Sequence, residues 1–479
     1  MSCGLLLGRF MGFIREASIA STFGASSKSD VAILALAIPD VIINIIVAGG
    51  ISAALIPEFK SLGSKLSGLL FLQVTVLSAI AFSGLALVFH LNPNWLVEVF
   101  APGLVMDSFT LATGAMSEVV WLIPLTVLSG VTVAFLQSKE SFLVPALGTF
   151  IFNGVIVLGF FFVISSTKDL SDLTRFVLFG GLIRLISQYA ASAKHLSINR
   201  LFGTWLVSKS LLSRYFISII SFGTLSLFPV LMRAIASFGG EGEISKLNYS
   251  WRLVELPLGL IVAAVVVSSF PRLSASASSG DRKRFSRILN DGFFLSSLFA
   301  CSAAAVVFTN AHFLVRLTYG WGGAMSVNDL SEIAKLLQIG ILGLPFCAVI
   351  AMSSAGLNAQ KRPGLISRSV IPGFVLLCGL SWIGYERYGL IGLYGSQVTV
   401  FILVASTLLN TVLKYIGGHR RGVSLSVIWP SALIVALSEL MSILSIDAWL
   451  QAVLCALLAG SLVFSMLRDK FREGRSDEC

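Results

Sequence analysis

Five ionisable residues frame the chemistry of this sequence: Arg9, Arg15, Asp30, Arg252 and Glu255, all set in or beside strongly apolar stretches. Arg9 and Arg15 lie six residues apart, about 9 Å along a helix. Two guanidiniums so spaced suit a phosphate-bearing ligand, because arginine is always charged and donates in a fixed fork. The competing reading for each is a side chain that snorkels to the membrane interface. Glu16, next to Arg15, points to another face and is a candidate partner for another helix. Arg252 and Glu255 are spaced i, i+3 and share a helix face, so they can pair. Pro257 then removes a backbone donor and bends the helix, and Gly259 permits close approach. That group is either a self-neutralised pair holding the bend or an anion-binding arginine positioned by Glu255. Asp30 reads as a helix cap or as an anion-repelling gate.

The elements that must carry these charges are apolar helices. The chain has 479 residues, 56% hydrophobic and 12% charged, against about 25% charged in soluble domains. Continuous apolar runs, as at 68–91, 142–166 and 389–412, have the length of membrane helices rather than the alternation of barrel strands. The expectation is an all-α integral membrane protein with about fourteen spans. Loops after even-numbered spans carry Lys60, Lys65, Lys139, Arg272, Arg282, Lys283, Arg284, Lys361 and Arg362 among others, with Arg468, Lys470, Arg472 and Arg475 in the tail. Loops after odd-numbered spans carry only Lys28, Lys168, Arg175, Arg316 and Arg387. This bias puts both termini in the cytoplasm.

The halves echo each other. Arg15, Ser27-Lys28 and Pro39 recur as Arg233, Ser245-Lys246 and Pro257 at a common offset of 218. The predicted organisation is two pseudo-symmetric six-helix bundles, 1–200 and 201–420, followed by two further helices and a basic tail at 421–479. Transporters build a central site between such repeats. Other charges predicted at membrane depth are Asp40, Glu118, Arg184, Arg233, Arg368 and Glu439, each needing a partner or a wet cavity.

Several functions find no support. There is no Walker A sequence, HExxH, G-x-S-x-G or clustered histidine, so no enzyme chemistry, metal or cofactor is expected. The six cysteines show no CxxC spacing. The net charge of +10 belongs to the basic loops rather than to a nucleic-acid surface. The N-terminus lacks the basic region and cleavage site of a secretory signal.

The stretch Gly8-Arg9-Phe10-Met11-Gly12-Phe13-Ile14-Arg15-Glu16, with Phe23-Gly24-Ala25, Asp30 and Pro39, resembles the opening of the MurJ (MviN) family. Those proteins are lipid II flippases of the multidrug/oligosaccharidyl-lipid/polysaccharide exporter superfamily. The likeness continues in Ala134, Phe142, Pro145-Ala146 and Asn153, in Arg252-Leu253-Val254-Glu255-Leu256-Pro257, and in Gly356-Leu357-Asn358-Ala359-Gln360-Lys361-Arg362-Pro363. It implies a fourteen-span, two-lobed flippase of the bacterial inner membrane that moves undecaprenyl-pyrophosphate-linked peptidoglycan precursor outward by alternating access. It also implies that Arg9, Arg15, Asp30, Arg252 and Glu255 line the cavity, the arginines binding the headgroup and Glu255 pairing to one of them. Membrane lipids and a coupling ion are the other partners to expect; no protein partner is indicated. The second span departs from the family pattern. Ile43 and Asn44 stand at its basic pair, Ala48 at its acidic position, and Asp40 is added. Flipping of another polyprenyl-linked oligosaccharide, or cation-coupled export on the same fold, are the alternatives.

Overall fold

The computed structural model describes residues 2–42, 51–196, 205–209, 211, 213, 227–416 and 455. Among these residues every regular element is helical. Among the described residues, six helices are long and apolar enough to cross a membrane, or up to eight if each of two bent pairs forms one span. The spans expected at 424–443 and 446–467 lie outside the described residues, apart from Cys455, as does most of that at 214–237.

The chain divides into two compact units, Met1–Ser245 with Gly322–Ser326, and Lys246–Trp321 with Val327–Cys479. The division falls at 245/246, later than the 200/201 boundary read from the repeat. The reason is local: Ser237 Oγ accepts from Gly103 N at 2.8 Å, and Asp30 binds the backbone at Gly242 and Ser245. These contacts tie the segment before 246 to the first unit.

The first unit contains α1 (Ser2–Phe23), α2 (Ser27–Ile42), α3 (Ser52–Ser61), α4 (Ser64–Leu91) and α5 (Pro93–Phe100). It continues with α6 (Met106–Val119), α7 (Leu122–Ser138), α8 (Leu143–Thr167), α9 (Leu170–Ala193) and α10 (Phe228–Ala236). Helix α8 packs between α1 and α9. Its contact with α1 rests on small residues one turn apart. A Cβ on Gly4 would lie 2.9 Å from Ala146 Cβ, one on Gly8 3.0 Å from Thr149 Cβ, and one on Gly12 3.2 Å from Asn153 Nδ2. In lipid, where apolar burial drives little association, such close backbone approach is what holds helices together. It also sets the height at which Arg15 meets α8.

The second unit contains α11 (Glu243–Pro257), which begins three residues before the division, and α12 (Ala263–Ser278), joined to it by a π-turn at Leu258–Val262. Pro257 removes one helical donor and the wide turn accommodates the loss. There follow α13 (Arg282–Thr309), α14 (Ala311–Tyr319), α15 (Val327–Ile341), α16 (Leu344–Ala359) and α17 (Pro363–Ile416). Helix α17 is a hairpin, as the two spans expected at 364–385 and 389–412 require. Its chain reverses at Gly389 (φ 59°), and Ser396 Oγ donates to Leu380 O at 2.8 Å across the two arms.

The internal repeat is visible in backbone detail. Asn92 N donates to Val88 O at 3.1 Å to end α4, and Asn310 N donates to Val306 O at 3.2 Å to end α13, at the same offset of 218. Both asparagine side chains return to that same carbonyl, and a short helix follows each. The paired helices α6–α7 and α15–α16 are each bent by 41°.

The glycine contact yields a test. Gly8→Leu forces α1 off α8 and lowers stability by about 1–3 kcal/mol, whereas Gly84→Leu, at a position with open space around it, leaves the unfolding midpoint unchanged. Thermal unfolding in detergent compares the two; equal midpoints for both would refute the packing argument.

Candidate functional site

Arg15 is buried, with 4% of its surface exposed. One guanidinium nitrogen, Nη2, lies 2.7 Å from Glu16 Oε1, and Nη1 donates to Asn153 Oδ1 at 2.8 Å. Asn153 Nδ2 donates in turn to Gly8 O at 3.3 Å. Adjacent helical residues diverge by about 100°, yet the long arginine side chain turns back to reach its neighbour. Glu16 therefore pairs with Arg15, where the sequence reading aimed it at another helix. Arg9, one and a half turns earlier, is exposed.

Asp30 lies at the start of α2 and is buried. Its carboxylate accepts from Gly242 N at 2.7 Å through Oδ2, and from Ser245 N at 2.7 Å and the Ser245 hydroxyl through Oδ1. These are groups at the first turn of α11, more than two hundred residues away. A carboxylate there satisfies donors that have no intrahelical partner and meets the positive end of the helix dipole. Ser29 Oγ adds a bond to Ser245 Oγ at 2.9 Å. Gly242 takes φ 83°, and a Cβ there would come 2.8 Å from Ala25 O, so this approach needs glycine. Of the two sequence readings, the geometry is that of a cap, made across the fold rather than to its own helix.

Two turns further along α11, Arg252 Nη1 lies 2.8 Å from Glu255 Oε2. The other carboxylate oxygen accepts from Trp251 Nε1 at 2.9 Å. The pair keeps some access, with side chains 22% and 39% exposed. Trp251 was not singled out from the sequence, although its i, i+4 spacing to Glu255 was the available signal. Its ring packs on Phe401. The backbone around the pair is fixed by tyrosines: Tyr319 OH donates to Tyr249 O at 3.0 Å, and Tyr394 OH to Leu247 O at 3.1 Å.

Another buried arginine belongs to α9. Arg184 Nη2 donates to Thr126 Oγ1 at 3.0 Å, and its guanidinium lies 5.0 Å from the Phe152 ring centroid. The Asp40 carboxylate acts on it electrostatically. The added aspartate of the second span lies on α2, which packs against α9 and brings a charge opposite to that of Arg184. Phe152 and Asn153, consecutive on α8, support Arg184 and Arg15 from neighbouring helices. Ile43, Asn44 and Ala48 lie outside the described residues. Among the described residues no group of acids, cysteines or histidines could hold a metal ion.

Two units of long apolar helices with internally neutralised arginines and acids define a multi-pass membrane protein. A solved multidrug resistance MATE family transporter of the MOP superfamily has this fold, at 14% identity and a TM-score of 0.73, covering 85% of this chain and 94% of that one. A structure of lipid II flippase MurJ in an inward closed conformation fits better, with a TM-score of 0.85 at 20% identity over 98% and 99% of the two chains. The family model described as lipid II flippase MurJ matches residues 19–464. The lipid II flippase MurJ of Burkholderia cenocepacia is 27% identical over 438 residues, covering 87% of this chain and 82% of that protein. The chain belongs to the MurJ family.

Two predictions follow from the buried groups. Asp30→Ala costs about 1–2 kcal/mol, the usual worth of a helix cap, and raises backbone hydrogen exchange at 242–247; unchanged exchange there would remove the cap. For Arg184 and Asp40, Arg184→Gln and Asp40→Asn each destabilise, while the double substitution recovers a coupling energy of about 1–3 kcal/mol. Strict additivity in unfolding midpoints would show that the two charges do not interact.

Proposed function

We propose that this chain flips lipid II, the undecaprenyl-pyrophosphate-linked peptidoglycan precursor, from the cytoplasmic to the outer leaflet by alternating access, with both termini in the cytoplasm. The observation that carries the chemistry is the Arg252–Glu255 pair. It sits in a helix broken at Pro257, keeps partial access, and is held by an indole donor on the far carboxylate oxygen. A diphosphate can replace Glu255 at Arg252, because guanidinium binds phosphate and carboxylate in the same forked manner. Trp251 then still satisfies one oxygen of the displaced carboxylate. Arg9 meets the phosphates as an exposed cation. Arg15 contributes by exchanging Glu16 for the headgroup, and Asp30 by holding the first turn of α11 in place. The prenyl tail stays in lipid throughout. The reading involves no bond chemistry, and family membership favours it over cation-coupled export on the same fold.

The test is complementation of a strain depleted of its own lipid II flippase. The unmodified chain restores growth, and Arg15→Ala and Arg252→Ala lose it while accumulating to normal levels. Arg252→Lys recovers less than the parent, because lysine cannot donate bidentately. Full rescue by both alanine variants would overturn the arginine mechanism. Failure of the well-expressed parent would move the substrate to another polyprenyl-linked oligosaccharide.

A further inference from the structure

The two units end one corresponding pair of helices in the same way and then use the following loop differently. Helix α7 closes with Lys139 N donating to Phe135 O at 3.2 Å, Glu140 N to Gln137 O at 3.1 Å, and Ser141 N to Leu136 O at 2.9 Å. Helix α16 repeats the set: Gln360 N to Gly356 O at 3.3 Å, Lys361 N to Asn358 O at 2.9 Å, and Arg362 N to Leu357 O at 3.0 Å. The residue two past the helix end is left-handed in both, at φ 59° for Glu140 and for Lys361. This is a Schellman closure with a non-glycine residue at the left-handed position.

In the first unit the loop is self-contained. Lys139 Nζ donates to Ser67 Oγ at 2.7 Å and lies over the Phe135 ring, and Glu140 supplies a neighbouring negative charge. In the second unit Gln360 stands at the position of Lys139, Lys361 at that of Glu140 and Arg362 at that of Ser141, and beside them opens a cleft of about 470 Å³. Its other wall is the α12–α13 turn, including Ser278, Gly280, Asp281, Arg282 and the buried Phe285. That turn is locked by its own bonds. Asp281 N donates to Ser276 O at 3.1 Å, and the Asp281 carboxylate accepts from Arg284 N at 2.9 Å to cap α13. The one acid lining the cleft is thereby engaged, while three cations line it from two directions.

The cleft also sits at a telling depth. Residues Glu243–Ser278 form a run of 36 residues, about 54 Å of helix against about 30 Å of hydrocarbon. Its far end, at the α12–α13 turn, is on the side that loop charge assigns to the cytoplasm. A volume of this size is within the range of small-molecule sites.

The geometry points to a phosphate-binding site in this cleft, separate from Arg252, in which Arg282, Lys361 and Arg362 take the phosphate of an anionic lipid headgroup or of a soluble phosphate ester. Rigid, self-satisfied turns hold the three side chains, so binding needs little reordering of the backbone. The corresponding loop of the first unit, with Lys139 turned in and Glu140 at the left-handed position, lacks this donor set.

The test uses the full chain in nanodiscs of phosphatidylcholine, with thermal unfolding as the readout. One arm adds phosphatidylglycerol to the bilayer. The other titrates inorganic phosphate or glycerol 3-phosphate at constant ionic strength. The parent shows a saturable rise in unfolding midpoint in at least one arm, and the responding arm identifies the source of the phosphate. The double variant Arg282→Ala/Lys361→Gly removes two charges, and glycine suits the left-handed position, so its fold is preserved. It weakens the apparent affinity by about tenfold or more, whereas Arg252→Ala keeps the response. The proposal is overturned by the absence of a saturable response in both arms, by an undiminished response in the double variant, or by loss of the response in Arg252→Ala alone.

Discussion

An ionised side chain at bilayer depth is tolerated only where something in the protein answers it, and the interior of this chain is organised around that requirement. Among the described residues, Arg15, Arg184 and Asp30 are met by partners from within their own compact unit. Arg15 has Glu16 and Asn153, Arg184 has Thr126 and Asp40, and Asp30 has the donors of Gly242 and Ser245. The half-buried Arg252 has Glu255. Helix packing follows from these pairings as much as from apolar contact. Glycines on α1 bring Arg15 to the level of Asn153, and Gly242 lets the loop before α11 close down on Ala25.

Local neutralisation shapes what binding can do. A free guanidinium in the membrane would attract any anion and carry the full desolvation penalty, whereas a paired one gives up an anion in order to accept one. The net gain is a difference between two similar interactions, so affinity is moderated and the displaced carboxylate must find a donor. Glu255 already has one in Trp251. Glu16 has a less forgiving setting, because it is buried together with Arg15. The two arginines are thus unequal: in the proposed mechanism Arg252 exchanges partners where it stands, while Arg15 exchanges only when its surroundings open. A ligand that requires such opening is coupled to conformation through its differential affinity for the two states.

The sequence carried much of this, in a graded way. Long apolar runs made the helices legible because lipid permits few alternatives. The Arg252–Glu255 pair was legible because i, i+3 spacing on one helix fixes geometry regardless of the fold. Asp30 was readable as a cap, but the helix it caps lies far along the chain, and no local pattern reveals such a partner. Adjacent spacing suggested that Arg15 and Glu16 diverge; the length of the arginine side chain and an anchor at Asn153 bring them together. Asp40 looked like a departure from a family pattern until the fold placed it within electrostatic reach of Arg184 on α9. Spacing predicts contacts along an element; contacts between elements follow from packing, which spacing does not contain.

The internal repeat sharpens the distinction between scaffold and chemistry. Positions at the same offset keep the same backbone role and take different side-chain roles. Ser27 accepts a bond from Ser108, while its counterpart Ser245 binds Asp30. Lys28 reaches a carbonyl at Lys168, whereas Lys246 meets Glu332 and Asp329. Caps such as Asn92 and Asn310 are retained because a helix end has the same unpaired groups wherever it occurs. Charges are free to diverge once each unit satisfies its own. A duplicated fold built in this manner can present an asymmetric set of cations to an asymmetric ligand without altering the helices that support it. Arg184 and Trp251 illustrate the point: each is held by a partner on a neighbouring turn or helix, Thr126 and Glu255 respectively.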